Sequence, residues 1–78
     1  MRLTTDELHT FLTTELGLED DVTAETELFS TGMLDSVAMM NIIGFIEEKS
    51  GIDVRPADVT LDNFDTMQRI VDYVAAES

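Results

Sequence analysis

The sequence predicts an all-α fold: a small four-helix bundle, three main helices and one short one, with a long loop between helices one and two. Three observations carry this. Apolar residues recur at helical spacing in three separate stretches. No stretch alternates strictly enough to read as a strand. A chain of 78 residues builds one modest core, so residues 1–78 are read as a single domain.

The first helix is predicted over residues 5–16. Thr4 and Glu7 have the spacing of a capping box, Leu8, Phe11, Leu12 and Leu16 recur at helical intervals, and Gly17 offers a stop. The loop from Leu18 to Leu34 is too long for a tight connection, and Leu18, Val22, Leu28 and Phe29 are its expected anchors. Helix two is predicted over 36–50, with Asp35 as N-cap and Gly51 beyond its end. Eight of the ten residues from Val37 to Ile46 are apolar. A helix apolar almost all round is either wholly buried or buried on one side and used for docking on the other. Ile52 and Val54 suit an extended segment, and Pro56 permits a short helical turn within 57–63 that Phe64 anchors. Asp65 or Thr66 caps a last helix, whose stripe of Met67, Ile70, Val71 and Val74 fades into the polar "AAES". The expected core joins Leu8, Phe11 and Leu12 with Ile42, Ile43 and Ile46 and with Ile70, Val71 and Val74.

Seventeen acidic residues against four basic ones give a net charge of −13. Such a field repels nucleic acid and anionic membranes and steers the chain toward basic partner surfaces. Nine of the acids fall in the first 35 residues, where Arg2 is the one base. There is no cysteine, so any thiol chemistry must come from an attached group, and neither a disulfide framework nor a thiolate metal site can form. Glu19-Asp20-Asp21 lacks the alternating ligands and central glycine of a calcium loop. The N-terminal "MRLTTDELHTFL" has no signal-type apolar run, which together with the absence of a membrane-span pattern predicts a soluble cytoplasmic protein; a monomer is expected. His9 has no second histidine beside it in sequence and is expected on the solvated side of helix one.

Ser36 is the candidate functional residue. It follows a turn hinged on Gly32, expected to take a positive φ, and it opens helix two, where the first amides lack partners and an anion is favoured. Taken alone, the serine could simply be the first residue of a capped helix. The stretch "LFSTGMLDSVAMMNIIGFIEE" resembles the acyl carrier and peptidyl carrier proteins, in which a glycine, two intervening residues, then Asp-Ser and an apolar residue open the second helix. The resemblance runs through nearly the whole chain, including the tail "NFDTMQRIVDYV". It implies that a phosphopantetheinyl transferase attaches 4′-phosphopantetheine from coenzyme A to Ser36 through a phosphodiester. Acyl or aminoacyl groups would then ride on the arm as thioesters, placed there by a loading enzyme and taken up by downstream biosynthetic enzymes. On this reading the chain is a carrier and not an enzyme. The other reading is an unmodified acidic helical interaction domain, which leaves the Gly-to-Ser arrangement as coincidence.

Partners are expected to meet Met33, Asp35, Val37, Ala38, Met39, Asn41, Phe45, Glu47 and Glu48. With Ile42, Ile43 and Ile46 inward, the 3.6-residue period puts Ala38, Asn41 and Phe45 toward the outer side of helix two. There Phe45 with Met33 or Met39 would form an apolar patch. The loop acids and Glu47-Glu48 would surround it and speed encounter with a basic partner. The methionines serve equally as core filler, and at least one of Met39 and Met40 is expected inside. Fatty-acid carriers usually show several carboxylates along helix two, whereas here the acids return only at Glu47 and Glu48. That departure favours a specialised pathway: polyketide, nonribosomal peptide or extender-unit biosynthesis. Val37 also stands where leucine is more usual.

Overall fold

The computed structural model describes residues 3–18 and 21–77. Glu19 and Asp20, two thirds of the acidic triplet, lie outside the described residues. The elements, in order, are α1 (Thr5–Glu15), α2 (Ser36–Ser50), a 3-10 turn (Pro56–Asp58), α3 (Leu61–Phe64) and α4 (Met67–Glu77). Every described regular element is helical, as expected. No described helix is long and apolar enough to cross a membrane, and no described cluster of His, Cys, Asp or Glu suits a metal ion.

Local chemistry sets the helix ends. The Glu7 amide donates to Thr4 Oγ1 at 3.1 Å and the Thr4 amide donates to Glu7 Oε1 at 3.1 Å, so the capping box forms in both directions. At the other end Gly17 adopts φ +70°, which lets the Leu18 amide reach back to the Leu12 carbonyl at 3.0 Å and close α1. The Asp35 side chain accepts from the Ala38 amide at 3.0 Å and starts α2. For α4 the structure chooses between the two candidate caps: Thr66 Oγ1 accepts the Arg69 amide at 3.0 Å, which leaves Asp65 free for another task.

The core gathers Leu8 and Leu12 of α1, Ile42 and Ile46 of α2, Phe64 of α3, and Met67, Ile70, Tyr73 and Val74 of α4. Leu28 and Val22 descend into it from the loop, and Leu3 from the segment before α1. Three expected members, Phe11, Ile43 and Val71, are only half-buried at its edge. The buried stripe of α2 runs through Ala38, Ile42 and Ile46 at four-residue steps, and Ile43 lies one position, about 100°, to the side of it. Phe11 instead stacks on Phe45 across the α1–α2 seam, ring centroids 4.3 Å apart and planes at 16°. His9 is half-buried and not on the solvated side as expected, and its Nε2 is shielded with no hydrogen-bond partner among the described residues.

The expected single turn over 57–63 resolves into the 3-10 turn and α3. Tyr73 Oη donates to Asp58 Oδ2 at 2.9 Å, and Arg55 Nε donates to the same oxygen at 3.2 Å, which fixes the turn against α4. Tyr73 also packs at 5.3 Å from Phe64, a tilted aromatic pair that the spacing of aliphatic residues alone did not reveal.

The loop is held by one side chain. Asp65, 2% exposed, accepts from the Phe29 amide at 2.8 Å and the Ser30 amide at 3.0 Å through Oδ1, and from the Ser30 hydroxyl at 2.8 Å through Oδ2. Its own carbonyl accepts the Leu28 amide at 2.7 Å, and the Gln68 amide donates to Ala24 at 3.0 Å. Burial pushes the Asp65 carboxyl up, but the Ser30 and Phe29 hydrogen bonds and the Arg69 charge outweigh it, and the group is held below the ordinary carboxylate value of 3.8.

A group with a lowered folded pKa lends stability that is complete above its unfolded value and is lost as pH falls through the folded one. Chemical denaturation should therefore show stability declining as pH drops below about 4, and Asp65→Asn should flatten that decline. Glu7 is lowered too, chiefly by its backbone bond at Thr4, so some slope should remain. For the core, Ile42→Ala should cost about 2–5 kcal/mol and Ile43→Ala distinctly less in the same titration, reflecting full against partial burial.

Candidate functional site

Ser36 sits at the junction of the loop and α2. Gly32 takes φ +80°, a conformation that side chains rarely adopt, and its amide donates to the Phe29 carbonyl at 3.1 Å. The positive φ expected there is present. The Leu34 amide donates back to the Leu28 carbonyl at 2.8 Å, so the chain doubles over between 28 and 34 and emerges pointing along α2. Asp35 caps, and Ser36 is the first helical residue.

The serine is exposed, and its hydroxyl makes no hydrogen bond within the described residues. Asp35 takes the Ala38 amide, and the Met39 amide makes the first backbone bond, to the Asp35 carbonyl at 3.0 Å. The amides of Ser36 and Val37 are then the orphans of the first turn. An exposed hydroxyl beside unpaired amides at the positive end of a fifteen-residue helix fits a covalently held phosphate, which such a terminus favours by typically about 0.3–1 kcal/mol.

Apolar side chains surround it. Met33 is 46% exposed, Val37 66% and Met40 69%, all within four residues of Ser36. Val37, Met40, Asn41, Gly44 and Glu48 form the outward stripe of α2. Met39 is half-buried against the core, so of the two α2 methionines one is packed and one is free. The expectation for Ala38 is corrected: it is 7% exposed and belongs to the inward stripe, four residues before Ile42. Phe45 is half-buried in its stack with Phe11 and does not stand free. Glu47 bends toward the chain to accept the Val54 amide at 2.9 Å, whereas Glu48 is exposed.

The structure brings Met33, Asp35, Val37 and Asn41 to the wall of one depression near the start of α2 and sets Phe45, Glu47 and Glu48 farther along the helix. Sequence reasoning did not single out Met40 as a surface residue; Gly44, read from the sequence as an outer position of the helix, is exposed, and a Cβ on it would meet nothing within 4 Å. Asp65 was read only as a possible cap. Its signal was a buried-looking acid beside a phenylalanine, which does not reveal a partner 35 residues away.

Residues 6–74 match the family model described as the phosphopantetheine attachment site. The lincomycin biosynthesis protein LmbN of Streptomyces lincolnensis is 41% identical over 59 residues, covering 76% of this chain and 21% of that protein. The chain therefore spans about a fifth of the length of this relative.

The cap itself can be tested. Asp35→Ala should cost about 0.5–2 kcal/mol in thermal or denaturant unfolding and should reduce helicity at the start of α2. Asp35→Ser, which keeps a capping oxygen, should recover most of the loss.

Proposed function

The chain belongs to the phosphopantetheine-attachment family of carrier proteins, and we propose that Ser36 is the residue to which its 4′-phosphopantetheine is joined. The observation that carries this is the setting of Ser36: exposed, at the first position of α2, behind the Gly32 turn and the Asp35 cap. The attached group supplies a thiol, which a chain without cysteine cannot, and holds cargo as a thioester. The protein contributes position and recognition. Carrier domains of this family are generally not catalytic, and Ser36 is read as the residue that receives the group.

The cargo is an acyl or aminoacyl unit of a specialised biosynthetic pathway, of the polyketide, nonribosomal peptide or extender-unit type. The name of the similar Streptomyces protein, a lincomycin biosynthesis protein, supports that choice, as does the scarcity of carboxylates along the outward face of α2. Residues 1–78 act as one carrier domain, a reading supported by the one core cluster that runs from Leu3 to Val74 among the described residues, and the domain works as a monomer. The partners are the phosphopantetheinyl transferase, a loading enzyme and downstream enzymes. They dock on Met33, Val37 and Met40 beside the arm, while the charge of −13 draws in a basic surface.

Treatment with coenzyme A and a promiscuous phosphopantetheinyl transferase should add one phosphopantetheine to the intact mass. Ser36→Ala should abolish the addition and leave stability within about 0.5 kcal/mol, since Asp35 still caps and the residue is exposed. Addition to the alanine variant would place the attachment elsewhere.

A further inference from the structure

We propose that the seam between α1 and α2 is a docking site separate from the surface around Ser36, and that it takes an arginine side chain of a partner protein. The seam is built in layers. Glu7, Phe11 and Glu15 follow one another at four-residue steps along α1, and Asn41, Phe45 and Lys49 do the same along α2, so each set forms one line on its helix. The helices run antiparallel, and the two lines meet. Glu7 Oε2 pairs with Lys49 Nζ at 3.3 Å, and Phe11 stacks on Phe45 with centroids 4.3 Å apart. In the next layer Glu15 comes against Asn41, and both line one depression with the two rings, Leu16 and Glu48.

That layer has no cation. Glu15, Asn41 and Glu48 are exposed, and none of their side chains has a hydrogen bond or an ion pair among the described residues. Two carboxylates from different helices therefore share one hollow walled by an aromatic stack. Carboxylates attract a cation and ring faces add to that attraction, while an anion is disfavoured on both counts. A guanidinium answers this set better than an ammonium. It is planar, lies flat on a ring, and carries five donors in a fork that suits the Glu15 and Glu48 carboxylates and the Asn41 carbonyl.

The described part of the chain does not supply that arginine. Lys49 is held by Glu7, Arg55 by Asp58 and Glu77, and Arg69 lies 4.0 Å from Asp65 and donates to the Leu61 carbonyl. The net charge of −13 opposes a second copy and draws in a basic protein surface. The occupant is therefore an arginine of a different protein. The place of the seam on α2 gives the site its use. Asn41 comes five positions after Ser36 and Phe45 nine, which at 100° per residue sets them about 140° and 180° around the helix from the serine. Ser36 is not part of the depression. A partner held at the seam leaves the serine uncovered, so the chain stays attached there while Ser36 remains open to a second protein.

The test titrates the full chain with three capped tripeptides, acetyl-Gly-X-Gly-amide with arginine, lysine or citrulline at the centre, and follows backbone amide and aromatic ring resonances. The arginine peptide should move the Phe11 and Phe45 rings and the amides of Glu15, Asn41 and Glu48 along one saturable curve, and leave the Ser36 amide in place. The lysine peptide should bind about threefold more weakly, since it lacks the flat cation, and neutral citrulline should not bind measurably. In the double variant Glu15→Gln, Glu48→Gln, which removes only exposed charges, affinity for the arginine peptide should fall about fivefold with an unchanged amide fingerprint. In Phe45→Leu, which keeps an apolar side chain, the preference for arginine over lysine should disappear. Equal movement at the depression that Asp58, Asp62, Asp72 and Glu77 line would mean attraction to acids anywhere and overturns the site. Lysine or citrulline binding as well as arginine overturns the choice of occupant, and movement at Ser36 overturns the separation of the two surfaces. Ring shifts that follow protein concentration without any peptide put a second copy on the seam and overturn the partner protein.

Discussion

The Asp65 carboxylate is the constraint on which the geometry of this domain depends. A long loop has no backbone ladder of its own and must find partners for its amides elsewhere. Here three donors, the Phe29 and Ser30 amides and the Ser30 hydroxyl, converge on one buried carboxylate at the α3–α4 junction. Once residues 28–30 are pinned, their carbonyls become fixed points: Phe29 receives the Gly32 amide, and Leu28 receives the Leu34 amide. The chain then reaches Asp35 in one orientation, and the cap turns it into α2. The exposed serine at the helix entrance is thus positioned by a carboxylate 29 positions farther along the chain.

Burying a carboxylate costs several kcal/mol unless its lone pairs are occupied. Asp65 meets that condition with three hydrogen bonds, and Arg69 Nη1 stands 4.0 Å from Oδ2. The network does not close on the carboxylate alone. The Leu28 side chain is fully buried, so the same short segment is held by apolar packing from one side and by charge from the other. Loss of either would free the loop and with it the register of the serine.

The outward face of α2 follows a different logic. It keeps Val37 and Met40 exposed and leaves Gly44 bare, an arrangement that costs helix stability at the glycine by roughly 0.5–1 kcal/mol and gains nothing inside the fold. Surface that the fold does not need is surface available to partners. The acids are excluded from most of this stripe and return at Glu48, so the side chains that stand out on it next to the serine are Val37 and Met40.

Local features were legible in the sequence because they depend on neighbours a few residues away. The capping box at Thr4 and Glu7, the positive φ at Gly32, the Asp35 cap and the bounds of α1 and α2 all rest on contacts within one or two turns. The same is true of Ser36, whose spacing from Gly32 and Asp35 carried both the resemblance to carrier proteins and the physical case for an anion. Tertiary structure alone decided what the side chains at element borders do. Periodicity gave α2 an apolar face but not its exact bearing, and a shift of about 100° moved Ala38 inward and Ile43 to the edge. Phe11 was expected in the core and Phe45 on the outer side of α2, and their stack instead makes each half-buried against the other. Asp65 and Thr66 were equivalent as caps in sequence. Only the loop folding back from 35 residues away gave one the amides of Phe29 and Ser30 and left the other the amide of Arg69, because a hydrogen bond depends on spatial proximity that spacing along the chain does not encode.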